Sequence, residues 1–152
     1  MTTAINYTVK KATEATILSH LILCDESFVP PLSDRVNLAE YAKKIFEKSI
    51  SFEAWKNQQN LIGLIAAYFN ETQPPSAFIT NVSTDKNFMG LGIASQLLKN
   101  CIGYAKENNC FEIYLEVNSK NLPAINFYKK HHFIQTEIKG GNLILKLEIK
   151  NK

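Results

Sequence analysis

The sequence predicts one mixed α/β domain of element order β-α-α-β-β-β-α-β-α-β-β, antiparallel in its front half. Three observations carry this expectation. The chain has 152 residues, enough for one domain with a real core. Its apolar pattern switches repeatedly between a period of about 2 and one of about 3.6. Prolines, glycines and polar turns separate the resulting segments, with no internal repeat, low-complexity stretch or linker.

Residues 5–10 alternate apolar and polar side chains and read as a strand. Thr13 caps a helix with Ile17, Leu18, Leu21, Ile22 and Phe28 among its apolar positions. Pro30 and Pro31 stop it. A second helix starts at Ser33 or Asp34 and runs to about Ser49, with Leu38, Tyr41, Ala42, Ile45 and Phe46 on one face. Residues 50–56 and 61–70 read as strands joined by the polar turn 57–60. Pro74 and Pro75 precede a strand over 77–82. A helix over 91–108 carries Ile93, Leu97, Cys101, Tyr104 and Ala105 on one stripe. Residues 111–117 alternate, so Phe111, Ile113, Leu115 and Val117 share one face and Glu112, Tyr114 and Glu116 the other. A short helix spans 122–130, with Pro123 in its tolerant first turn. Strands over 133–139 and 143–150 close the chain around a Gly140-Gly141-Asn142 turn.

Composition excludes several functions. The apolar share of 45% and charged share of 20% are those of a globular domain. No run is long enough for a membrane span, and residues 1–10 lack a secretory apolar stretch, so a cytoplasmic protein is expected. The net charge of +3 comes from scattered lysines, which argues against a nucleic-acid partner and suits a small anionic ligand. Cys24, Cys101 and Cys110 form no CxxC and read as reduced, buried thiols. His20 stands alone. His131 and His132 are adjacent, and neighbours on a helix point about 100° apart. No metal site is expected.

The most informative stretch is residues 82–92, V-S-T-D-K-N-F-M-G-L-G. A strand feeds a glycine loop and then a helix. The first amides of that helix lack internal partners and gather partial positive charge, which suits a phosphate or pyrophosphate. Gly90 and Gly92 let a ligand approach the backbone. An ordinary turn is the competing reading. A nucleotide P-loop is excluded, and Ser95 breaks the three-glycine dinucleotide pattern.

A second segment, Asn121-Leu122-Pro123-Ala124-Ile125-Asn126-Phe127-Tyr128, follows about thirty residues later. With the first segment and the element order, it resembles the GCN5-related N-acetyltransferase superfamily over nearly the whole chain. Residues 87–92 resemble the family's Gln/Arg-x-x-Gly-x-Gly/Ala loop, and residues 121–128 its Asn-x-x-Ala-x-x-x-Tyr motif. The resemblance implies a mostly antiparallel mixed sheet with helices on both faces. It also implies acetyl-CoA as co-substrate and a primary amine as acceptor. Thr80, Asn81 and Val82 would pair with the pantetheine arm. Asn87, Phe88, Met89, Gly90, Leu91 and Gly92, with Ile93 and Ala94, would hold the pyrophosphate. Asn121 would contact the arm, and Tyr128 would lie near the sulfur. The cofactor would enter where the strands of Val82 and Val117 splay apart.

This chain departs from the pattern at three points. Asn87 replaces the usual Gln or Arg, Ser76 the usual glutamate, and His132 the glycine before the phenylalanine. A left-handed turn at His132 would carry strain.

Acetyl transfer needs a neutral amine, donors for the oxyanion and a proton for the thiolate. Tyr128 is the candidate general acid, since a phenol of pKa about 10 can protonate a thiolate of about 8.5. Its competing reading is a packing tyrosine. A main-chain N–H of the Val82 strand would serve the oxyanion. Glu116 is the candidate base, in a pattern similar to that of ribosomal-protein N-terminal alanine acetyltransferases. A salt-bridged surface glutamate and a water chain are its alternatives. Lys86, Lys120, Lys129 and Lys130 could attract phosphates. The acceptor side would be the region from Asp25 to Arg35, in which Phe28 to Leu32 could wall a pocket and the acids Asp25, Glu26 and Asp34 could bind an ammonium, or the two prolines could only redirect the chain. Trp55 and Tyr68 read as core. A catalytically silent acyl-CoA-binding module and a partner-binding domain without cofactor are the competing functions. The final strands offer edges for a homodimer.

Overall fold

The computed structural model describes residues 4–70 and 73–149. Seven strands form one sheet: β1 (Ile5–Val9), β2 (Ile50–Lys56), β3 (Asn60–Asn70), β4 (Ser76–Thr84), β5 (Glu112–Asn118), β6 (Ile134–Lys139) and β7 (Asn142–Glu148). The helices are α1 (Glu14–Cys24), α2 (Leu38–Lys48), α3 (Ile93–Glu107) and α4 (Leu122–Lys130). The strand order is β1-β2-β3-β4-β5-β7-β6, and β4 with β5 is the parallel neighbour pair. Lys150 lies outside the described residues. Among those residues no helix is long and apolar enough to cross a membrane.

The interior of β2 and most of β3 are buried on both sides; β3 accordingly reads as an apolar run, while β2 buries Ser51 and Glu53 among its apolar residues. One face packs Trp55, Leu61, Leu64 and Ala66 against Ile17 and Leu21 of α1 and Ala42 and Ile45 of α2. The other packs Phe52, Ile62, Ile65 and Ala67 against Ile93, Leu97 and Cys101 of α3 and Ile125 and Tyr128 of α4. Gly63 lets α3 approach closely. A Cβ there would stand 2.7 Å from Ile93 Cγ2 and 3.2 Å from Leu97 Cδ1. The first turn of α3 is thereby seated on β3.

The fully buried Glu53 carboxylate accepts hydrogen bonds from the Thr8 and Ser51 hydroxyls and the Lys11 and Ala12 amides. It ties the β1–α1 connection to the sheet, since a buried carboxylate is tolerated only when its lone pairs are met. The expected Thr13 cap is present, with its hydroxyl accepting from the Thr16 amide at 3.1 Å.

Two expected boundaries are corrected. The first helix stops at Cys24 rather than reaching Phe28, and Asp25–Ser27 tighten into a 3₁₀ turn. The second starts at Leu38, not Ser33 or Asp34. Both changes share one cause. The Asp25 carboxylate accepts the Ser33 amide and hydroxyl, each at 2.6 Å, so the Ser33 side chain is already committed to an earlier partner. Asn37 caps α2 instead, accepting from the Glu40 amide at 3.0 Å. The anticipated strain at His132 is real: its φ is 75°.

β4 and β5 pair only from Ser76 with Glu112 to Ile79 with Leu115. Beyond that, β4 continues along β3 to Thr84 and β5 along β7 to Asn118. At the parting β4 carries a bulge, because Ala66 faces Asn81 while Ala67 faces Ile79, leaving Thr80 extra. The Tyr41 hydroxyl donates to the Thr80 carbonyl at 2.7 Å and lies 2.8 Å from the Thr80 hydroxyl. A side chain of α2 thus holds the bulge in place.

Candidate active site

The parted strands open a cleft of about 480 Å³. One bank is the glycine loop with the start of α3 and the face of α4 that carries Pro123, Ala124, Phe127 and Tyr128. The other is the α1–α2 segment, contributing Ser27, Phe28, Val29 and Arg35. The floor is β4 from Ile79 to Thr84 and β5 from Leu115 to Asn118.

The loop is built by Asp85. Its side chain accepts the Asn87 amide and its carbonyl the Phe88 amide, both at 2.9 Å. This 3₁₀ turn swings the chain outward. Gly90 (φ 81°) and Gly92 (φ 77°) then turn it back into α3. A Cβ at either glycine would meet nothing within 4 Å. The left-handed backbone, not crowding, therefore calls for glycine. Gly92 is the N-cap of α3 and has no side chain to satisfy the first turn. Among the described residues, the amides of residues 90–95 meet no protein acceptor. They form a nest of donors at the positive end of a 15-residue helix.

Of the expected cofactor residues, Thr80, Asn81, Val82, Phe88, Met89, Gly90, Gly92, Ile93, Ala94 and Asn121 all line this cleft. Asn87 and Leu91 do not. The Asn87 amide is held by Asp85, and Leu91 is 59% exposed outside the lining. Lys86, Lys120, Lys129 and Lys130 also stand outside the lining. Asn121 caps α4, its Oδ1 accepting the Ala124 amide at 3.3 Å, which leaves its NH₂ as the group available to the cleft.

Tyr128 projects from α4 into the cleft and is 7% exposed. Its ring packs on Phe127 and Phe133, with centroids 5.3 and 5.7 Å away. Burial pushes its phenol above the ordinary range, because the phenolate would lose its water. Its hydroxyl has no hydrogen-bond partner among the described residues. Glu116 lines the cleft too, on the face opposite Leu115 and Val117. Its Oε2 accepts from Asn142 Nδ2 at 2.6 Å and its Oε1 lies 3.9 Å from Lys139 Nζ. Both partners come from the β6–β7 hairpin.

Sequence reasoning named Asn81 but missed the polar contacts it makes under the bulge. The buried Asn81 accepts from the Ser83 hydroxyl at 2.8 Å, and His20 Nε2 lies 2.9 Å from that same hydroxyl. Asn81 Nδ2 and the Tyr68 hydroxyl are buried without a partner among the described residues. Asn81 lines the cleft and Tyr68 does not, so the unmatched Asn81 donor is the one that fits a ligand or ordered water there. No local pattern could have announced this, since His20 and Ser83 are 63 residues apart. Trp55 is core, donating to the Thr8 hydroxyl.

Burial pulls His20 down to about 4 from 6.5, opposed by nearby carbonyls and Asp85. The folded ring is neutral where the unfolded one is charged. Between about pH 4 and 6.5 the unfolded chain therefore binds more protons, and stability is whole above that window and lost as pH falls through it. We expect this group to remove on the order of 3 kcal/mol across the window. Denaturant melts from pH 7 to 4 check it: His20→Gln flattens the slope, and an unchanged slope contradicts the assignment.

The Acetyltransferase (GNAT) family model matches residues 16–133. Streptothricin acetyltransferase A of Bacillus subtilis is 38% identical over 58 residues, covering 38% of this chain and 34% of that protein. An N-alpha-acetyltransferase of Sulfolobus acidocaldarius is 34% identical over 61 residues, covering 40% and 36% respectively. The chain thus spans about a third of the length of the curated relatives it matches. The crystal structure of Arabidopsis thaliana NAA60 in complex with acetyl-CoA superposes with a TM-score of 0.74 at 17% identity, covering 96% of this chain and 100% of that one.

Proposed function

The chain belongs to the acetyltransferase (GNAT) family, and from that premise we propose that it moves an acetyl group from acetyl-CoA directly to a primary amine. The observation that carries this reading is the run of unpartnered amides at residues 90–95, one bank of a cleft whose same bank carries the Tyr128 hydroxyl. Acetyl-CoA supplies an activated thioester and a diphosphate. Backbone donors suit the diphosphate, so the change to Asn87 removes no essential contact. The stretch of β4 from Thr80 to Thr84 stays paired with β3 but has parted from β5, so its β5-side edge offers main chain to the pantetheine amides. A main-chain N–H there also suits the developing oxyanion.

Tyr128 supplies a proton to the departing sulfur. The cleft that keeps its phenol protonated also raises the proton affinity of a desolvated thiolate, so the two stay matched. Glu116, on the acceptor face, takes the amine proton through water. Asn142 and Lys139 orient it. For Glu116→Gln we expect kcat to fall by about tenfold or more, with the ascending limb of the pH–rate profile altered. A wild-type profile in that variant removes Glu116 from proton transfer.

Buried cysteines at positions 24, 101 and 110 suit a reducing, cytoplasmic setting. The exposed edge strand β6 is where a homodimer would pair. The function is tested by thiol release from acetyl-CoA across a panel of primary amines. Amine-dependent release supports transfer. Tight acetyl-CoA binding with no release from any amine favours a silent binding module.

A further inference from the structure

Two charged side chains line the cleft, Arg35 and Glu116, and their surroundings differ. Glu116 already has a cation and an amide donor. Arg35 has no carboxylate in ion-pair contact among the described residues. The acids nearest in sequence do not compensate it. Asp25 is bound to Ser33, and neither Asp25, Glu26 nor Asp34 lines the cleft. The acids that could have bound an ammonium are not brought into the cleft; the charged residue this segment contributes to the lining is Arg35.

Arg35 closes the 3₁₀ turn Leu32–Asp34, its amide bonded to the Leu32 carbonyl at 3.0 Å. That turn leads into α2, whose Tyr41 reaches the bulge at Thr80. Arg35 lines the same cleft as Thr80 and Asn81, where β4 and β5 part. The amide nest belongs to α3, which packs on the opposite face of the sheet. The two anion-seeking features are on different banks of the cleft. Phe28 and Val29 add an apolar wall beside Arg35. Glu116 faces the same space with the opposite sign.

We propose that Arg35 is a specificity residue that binds a carboxylate on the acceptor, so that the preferred acceptors are amino-acid-like: an amine, a carboxylate close to it, and an apolar side chain against Phe28 and Val29. This rests on the acetyl-transfer reading of the cleft. The planar guanidinium holds a carboxylate through two parallel hydrogen bonds, which lysine cannot reproduce. Its exposure lets the pair form only as the acceptor enters.

The test compares two matched pairs. One is leucine and leucinamide. The other is the dipeptide amides Leu-Asp and Leu-Asn, which move the charge one residue along. Rates are expressed per neutral amine, since a carboxylate also shifts the amine's own titration. We expect the charged member of at least one pair to be preferred by about tenfold or more in kcat/KM, falling as salt is added. The preferred pair shows whether the charge belongs to the reacting amino acid or to a peptide's second side chain. In Arg35→Gln the ratio should collapse towards one, in Arg35→Lys it should persist in part, and in Arg35→Glu it should invert. Melting temperatures report that the variants fold, and the salt dependence of the wild-type ratio decides the matter without any variant. Ratios near one in both wild-type pairs, or ratios unchanged in Arg35→Gln, overturn the proposal while leaving acetyl transfer standing. No thiol release with any amine removes the transfer reading itself.

Discussion

Replacing Tyr128 by Phe lowers kcat by about a hundredfold or more while acetyl-CoA affinity changes little. The substitution removes one oxygen and keeps the ring that packs on Phe127 and Phe133. No hydrogen bond within the described protein is lost, so no buried partner is left unmatched. Stability should therefore hold or rise slightly. This combination separates the two readings of Tyr128. A packing residue would tolerate the change without kinetic effect, because the packing is preserved. An acid would lose the step that protonates sulfur. Burial sharpens the contrast: with the phenol held above its ordinary range, it stays protonated across the working pH range and has one function to perform there. Single-turnover kinetics with a saturating amine provide the measurement. An unchanged rate returns Tyr128 to the core.

Replacing Gly92 by Val should raise the acetyl-CoA Kd by about a hundredfold, with a stability cost of about 1–2 kcal/mol. The φ of 77° is outside what a β-branched residue adopts. The loop must then shift, and the six amides that follow Met89 no longer converge. Only room for the Cβ is present, so the cost is conformational rather than steric. Gly103, in the interior of α3, is the matched control. Its replacement by Ala meets nothing within 4 Å and should stabilise the helix by up to about 1 kcal/mol. Its affinity for acetyl-CoA should match the wild type. Equal affinities in Gly92→Val and wild type, by calorimetry, would remove the loop from cofactor binding.

Much of this architecture was legible in the sequence because its signals are local. The strand–loop–helix around Gly90 and Gly92 is contiguous, so the donor nest could be read from residues 82–92 alone. The Asn121 cap and Pro123 likewise announce the start of α4. The α1–α2 boundary was misplaced because a tertiary-like bond, Asp25 to Ser33, took over the residue with the best local capping chemistry. Ser33 looked like a cap and became a partner for a distant carboxylate. The chemistry beneath the bulge was invisible for a related reason. Tyr41 shares the apolar stripe of α2, yet its hydroxyl reaches Thr80 of β4, 39 residues on. Only the pairing of β3 with β4 reveals that Thr80 is the extra residue. Glu116 was placed on the correct face by alternation, but its ties to Asn142 and Lys139 depend on hairpin register. Arg35 carried no periodic signal at all. Its position follows from the two 3₁₀ turns that replaced the expected helix ends.

The most direct measurement is a crystal structure with coenzyme A bound. It should show diphosphate oxygens within hydrogen-bond reach of the amides of residues 90–95, the pantetheine arm along β4 between Thr80 and Thr84, and the sulfur beside the Tyr128 hydroxyl. A diphosphate seated elsewhere, or a sulfur out of reach of that hydroxyl, would contradict the account.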